Sequence, residues 1–287
     1  MRRMSDKILF ERLMRYSCAN GQIEEVEALL KQGVDPNVPD KNGYTPLHYA
    51  ALSGNKDLIK LLAKHGASLD AQDKSGRTAL HYAALGQKNE ALQALIEVGA
   101  NVNQQDKKGF TAAHIAVARG NVKAIELLAE GKANLDLKDK YGQTPLHWGA
   151  FYGNKYVVQT LIHEGARLDS VNSRGRTALE YAVLTGHKEA AQMLLDHGAN
   201  PYSQNLAGKT AVDLMAQKEG FDELLASYSL APKKEGESEK QVVKNQEDAS
   251  RSSSNSSLLT RMMNLGEKIT NENDKNLLTR PEISRTV

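Results

Sequence analysis

The chain has one cysteine, one tryptophan and four phenylalanines in 287 residues, with aromatic residues at only 5%. A lone cysteine, Cys18, excludes an internal disulfide framework and a thiolate zinc site, and it fits a reducing compartment. No apolar run approaches the length of a bilayer-spanning helix, and Glu11 and Arg12 interrupt the apolar part of the N-terminal segment before a signal-peptide core forms. Net charge is also scarce: 37 basic residues oppose 35 acidic ones, so no global field calls for nucleic acid or an anionic membrane. With 40% of its residues apolar and few of them aromatic, the core must be built from Ala, Leu, Ile and Val, which favours many small packed helices.

What the chain does have is repetition. DKNGYTPLH at 40 recurs as DKSGRTALH at 73, DKKGFTAAH at 106, DKYGQTPLH at 139, NSRGRTALE at 172 and NLAGKTAVD at 205, each step being 33 residues. A second block keeps the same phase in QGVDPNVP, HGASLDAQ, VGANVNQQ, HEGARLDS and HGANPYSQ. Each unit has a physical parse. An Asp or Asn opens a tight turn whose glycine supplies the unusual backbone angle, as at Asp40 and Gly43. Thr45 caps a short helix and Pro46 fills its first position. A second helix follows with Leu58, Ile59, Leu61 and Leu62 on one face, ending at Gly66. Neither helix buries its face alone, so stacking of neighbouring units is expected.

The G-x-T-P-L-H-x-A-A block, the L-L-x-x-G-A block and the 33-residue period resemble those of the ankyrin-repeat family over about four-fifths of the chain. The resemblance implies an all-α repeat solenoid of helix pairs with β-turn fingers and a concave face that binds another protein. The expected organisation is an N-terminal capping unit at 5–38, five full repeats at 40–72, 73–105, 106–138, 139–171 and 172–204, and a C-terminal capping repeat at 205–230. The two caps are expected to turn more polar faces outward. A disordered polar tail is expected at 231–287, with a short helix at 257–269 carrying Leu258, Met262, Leu265 and Ile269.

Chemistry is hard to find in this frame. His48, His81, His114 and His147 sit one repeat apart, about 8–10 Å for packed helices, whereas one zinc holds its ligands at about 2 Å. The histidines are therefore expected to bond within or between fingers. The Asp-rich turns fail as calcium loops because Lys74 and Lys140 occupy ligand positions. There is no phosphate loop and no nucleophile elbow, so the chain is expected to be non-enzymatic, without cofactor or metal.

Function is expected where the repeat varies. The fingertips carry Tyr44, Arg77, Phe110 and Arg176, with a lysine or arginine in every finger and no acidic residue in these variable positions. The ends of the inner helices carry Leu52, Ser53, Leu85, Arg119, Phe151, Tyr152 and Leu184. Both sets are expected to project outward and contact a protein with apolar anchors and acidic flanks. Nucleic acid is disfavoured because the finger lysines follow acidic residues, and a cytoplasmic monomer acting as adaptor, scaffold or inhibitor is expected. The alternative is an effector exported by an intracellular bacterium, with the Ser-, Glu- and Asn-containing tail as export signal and the host cytosol as destination.

Two units depart from the pattern. Gln87 stands where Gly54 stands in the preceding unit, and Lys132 where Gly66 stands two units earlier, so either Gly86 and Gly131 take over by a one-residue shift or these turns are strained.

Overall fold

The computed structural model describes residues 2–232, which form helices joined by turns, with no strand among the described residues. The expected tail and the helix at 257–269 lie outside the described residues. The described chain falls into two compact units, divided after Lys140.

The first unit holds α1 (Arg2–Ala19), α2 (Ile23–Lys31), α3 (Pro46–Ser53), α4 (Lys56–Lys64), α5 (Ala79–Leu85), α6 (Asn89–Glu97), α7 (Ala112–Ala118) and α8 (Val122–Glu130). Odd-numbered inner helices pack on one another in sequence, α1 on α3, α3 on α5 and α5 on α7, and the even-numbered outer helices do the same. The second unit holds α9 (Pro145–Tyr152), α10 (Lys155–His163), α11 (Ala178–Thr185), α12 (Lys188–Asp196), α13 (Ala211–Ala216) and α14 (Asp222–Ser227), packed on the same plan.

The sequence dictates each join. Asp40 Oδ1 accepts the backbone N–H groups of Asn42 and Tyr44 at 2.8 and 2.9 Å, which folds the finger. Successive fingers are then tied by backbone bonds, Lys74 N–H to Asn42 O at 2.9 Å and Lys107 N–H to Ser75 O at 3.0 Å. Gly43 has φ +92°, and a Cβ there would stand 2.9 Å from the Cα of Asp73, so the fingers approach this closely only across glycine. The second block ties the outer edge: Asn37 Oδ1 accepts from Ser68 N–H at 2.6 Å and Asp70 Oδ1 from Asn101 N–H at 2.9 Å.

The four histidines are architectural. His48 Nδ1 accepts from the Thr45 backbone N–H at 3.1 Å, leaving the proton on Nε2, which donates to Arg77 O in the next finger at 3.0 Å. His81 repeats this with Thr78 and Phe110, and His147 with Thr144 and Arg176. His114 makes the same capping box with Thr111.

At the two irregular turns the one-residue shift does not occur. Gly86 and Gly131 keep negative φ, and Gln87 and Lys132 take φ of 53° and 64°. The N-terminal cap also differs from expectation, because α1 is not polar outside. Ile8, Leu9, Phe10 and Leu13 are 52, 61, 38 and 40% exposed.

Candidate partner-binding surface

Arg77, Leu85, Phe110 and Phe151 do not project outward as expected; all four are buried, at 7, 2, 0 and 5% exposure. The reason is lateral packing. The fingertip slot of Arg77 lies beside the next finger, so its guanidinium turns inward and pairs with buried Asp106 at 3.4 Å. Phe110 packs on its own His114, and Phe151 stands edge-on to Tyr152 and Tyr181 in the second unit.

The other expected residues are half-buried. Tyr44 shares a hydrogen bond between its hydroxyl and that of Tyr82 at 2.9 Å, and Tyr82 donates to Asp73 Oδ2 at 2.6 Å. Burial pushes the Tyr82 phenol well above its ordinary range, with the Asp73 bond adding to it. Leu52 and Ser53 end α3, with the Ser53 hydroxyl donating to Ala50 O at 2.9 Å. Arg119 reaches back one repeat to the carbonyl of Leu85 at 2.7 Å, capping the C-terminus of α5. Lys218 does the same for Leu184 O at 2.7 Å in the second unit.

Arg176 is half-buried beside Asn172, whose Oδ1 accepts its backbone N–H at 3.1 Å. Tyr152 carries a buried hydroxyl with no hydrogen-bond partner among the described residues. Burial pushes that phenol up to about 12. An unpaired buried hydroxyl costs about 1–3 kcal/mol.

Sequence reasoning gave too little weight to the lysines. Lys41, Lys74, Lys107, Lys108 and Lys140 are all exposed, one or two to a finger of the first unit, and none is in an ion pair among the described residues. The preceding acids do not pair with them. Asp73, Asp106 and Asp139 are buried, at 6, 7 and 5% exposure. The Oδ1 atoms of Asp73 and Asp106 accept finger N–H groups. Their Oδ2 atoms face Tyr82 and Arg77. The result is a row of ammonium groups set at the spacing of the stacked fingers. The signal was the lysine after each turn acid; what sequence alone does not give is the direction in which the acid points.

No group of three or more His, Cys, Asp or Glu is placed to hold a metal ion among the described residues. Cys18 is fully buried, and burial pushes its thiol up to about 12, far from the thiolate a nucleophile needs. Among the described residues no helix is long and apolar enough to cross a membrane.

Stacked helix pairs tied through turn fingers, with the recurring positions spent on architecture, define a repeat module for protein–protein interaction. The chain belongs to the ankyrin-repeat family, whose models match residues 13–106 and 86–172 as ankyrin repeats in three copies and 150–195 as ankyrin repeats in many copies. Among similar proteins, ankyrin repeat domain-containing protein 39 of Bos taurus is 44% identical over 45 residues, 16% of this chain and 25% of that protein. The chain thus spans a quarter of that relative's length. Two solved structures share the fold. The ankyrin repeat domain of Bcl-3, a unique member of the IkappaB protein family, is 27% identical with a TM-score of 0.67, covering 70% of this chain and 92% of that one. The human ASB11 ankyrin repeat domain is 28% identical with a TM-score of 0.66, covering 77% and 99%.

Proposed function

We propose that the chain is a non-catalytic adaptor whose first unit holds an acidic protein segment along its finger lysines, with Tyr44 and Leu52 as apolar contacts. The observation that carries this reading is the row Lys41, Lys74, Lys107, Lys108 and Lys140, exposed and in no ion pair among the described residues, with Asp73, Asp106 and Asp139 beside it buried. Such a row attracts an acidic segment at long range and fixes its register, while half-buried apolar side chains beside it supply the desolvated contact. Tyr152, Arg176 and Leu184 of the second unit are proposed as further contacts. A reducing, cytoplasmic setting is part of the same reading, since the chain has a single cysteine and so builds no internal disulfide.

The test is affinity capture by full-length protein against a variant with Lys41, Lys74, Lys107 and Lys140 changed to Glu, with captured proteins identified by mass spectrometry. The variant should keep its helical circular dichroism and lose the protein that the parent captures. Retention of that protein, or capture abolished by nuclease, would contradict the reading. An exported effector would present the same surface to a host protein. That reading rests on the tail, and deleting residues 233–287 separates export from binding.

A further inference from the structure

The open end of the first unit is covered by α1, and α1 carries a surface that the repeat architecture leaves unused. Its inward face is conventional, since Met14, Ser17 and Cys18 are fully buried and the helix packs on α3. Its outward face is the side on which the inner helix of a preceding repeat would stack, as α1 stacks on α3. There Leu9, Leu13 and Tyr16 follow one another at four- and three-residue spacing, with Ile8 and Phe10 on either side. Ile8, Leu9, Phe10 and Leu13 are 52, 61, 38 and 40% exposed, a concentration of apolar side chains found nowhere else on the described inner helices.

We infer that α1 pairs with α1 of a second copy of this chain, antiparallel and centred on Leu9, joining two protomers end to end. The charges choose this occupant. The stretch DKILFER is antisymmetric about Leu9: Asp6 stands three residues before it and Arg12 three residues after, Lys7 two before and Glu11 two after. Under a twofold axis through Leu9, each Asp6 therefore comes level with Arg12 of the other copy, about 4.5 Å along the axis from the centre. Helices packed about 8–10 Å apart place those side chains at the flanks of an apolar seam made by Leu9, Leu13 and Ile8 from both copies. Lys7 and Glu11 are already within 4.0 Å of each other on one helix and brace the pair from behind. A parallel pairing would set Asp6 against Asp6 and Arg12 against Arg12. One helix face of this size is below the roughly 800 Å² per partner of a standard interface, so the dimer is expected to be weak and concentration-dependent. It replaces the monomer expected from the repeats alone.

The test is sedimentation velocity on full-length protein over a concentration series. The parent should shift from monomer to dimer as concentration rises, and Leu9→Glu with Leu13→Glu should stay monomeric at every concentration with an unchanged thermal melt. Asp6→Arg alone and Arg12→Asp alone should each weaken the dimer at least tenfold, and the double variant should recover it within about threefold. A parent that is monomeric throughout overturns the proposal, as does a double variant no better than the singles. Binding of the parent to phosphatidylserine vesicles, strengthened by Asp6→Arg with no self-association in solution, would assign the face to a membrane surface instead and also overturn it.

Discussion

Asn205 donates its side-chain amide to the Glu180 carboxylate at 2.6 Å, with both residues buried, where the earlier repeats put a histidine at the position of Glu180 and the fingers at 73, 106 and 139 put an aspartate at the position of Asn205. Asparagine also follows a histidine, as Asn172 follows His147, but beside Glu180 a neutral amide is the fitting partner. Glu180 keeps the capping box with Thr177, but it turns a carboxylate toward the next finger where His48 turns an N–H. An aspartate at 205 would then bury two like charges against each other. Burial already raises the Glu180 carboxyl above the usual range. Asn205→Asp should lower stability by about 3 kcal/mol. Its cost should fall by about 1–2 kcal/mol in a Glu180→His background. Equal costs in both backgrounds, read from urea midpoints, would show that the pair is not coupled.

Arg77 and Asp106 are a second compensating pair. Asp40 and Asp73 accept a hydrogen bond from Tyr49 and Tyr82 nine residues on, but the corresponding position after Asp106 is Ile115. Arg77 fills the gap from the preceding finger. Arg77→Ala should destabilise the fold by about 3 kcal/mol by leaving a buried carboxylate unpaired. Adding Ile115→Tyr should recover part of the loss, and a double variant as unstable as the single would refute the pairing.

Gln87 and Lys132 pay the strain of a left-handed conformation that glycine takes at little cost. Gln87→Gly and Lys132→Gly should each raise stability by about 0.5–1 kcal/mol, the gain being reduced by the freer unfolded chain. Hydrogen exchange should show weaker protection around these turns than around Gly54, and protection should rise in the glycine variants. Unchanged urea midpoints would mean that the turns carry no strain.

Acid should destabilise the protein through its buried histidines. Burial lowers the pKa of His48 and His81 below the ordinary value of 6.5, and protonating Nδ1 would also displace the Thr45 or Thr78 N–H that it accepts. The unfolded chain therefore binds these protons first. The stabilisation is fully present above about pH 6.5 and is lost as pH falls below it, by up to about 1.4 kcal/mol per pH unit for each histidine. Urea midpoints at pH 7.5, 6 and 5 measure this; a flat profile would contradict it.

The repeat frame was legible because every unit must solve the same problem. Asp40 folds the finger, Thr45 and His48 cap the helix, and Leu58, Ile59 and Leu62 bury the outer one, so each role leaves the same letters 33 residues apart. Exposure was less legible. Tyr44, Arg77 and Phe110 share one slot in the repeat, yet Tyr44 in the first finger is half-buried, whereas the two that follow are covered. A period records position within a unit, and burial depends also on what the neighbouring unit brings. The lysines were legible as residues but not as a row, because the inward turn of Asp73 and Asp106 is set by Tyr82 and Arg77, nine residues after one and 29 before the other.

The role proposed for the finger lysines of the first unit is to hold an acidic protein segment. Its most direct measurement is calorimetric titration of a captured partner into the parent and into the Lys41, Lys74, Lys107 and Lys140 to Glu variant, at low and at physiological salt. Affinity should fall with salt for the parent and be at least a hundredfold weaker in a variant with an unchanged melt. Equal affinity for both proteins, independent of salt, would contradict it.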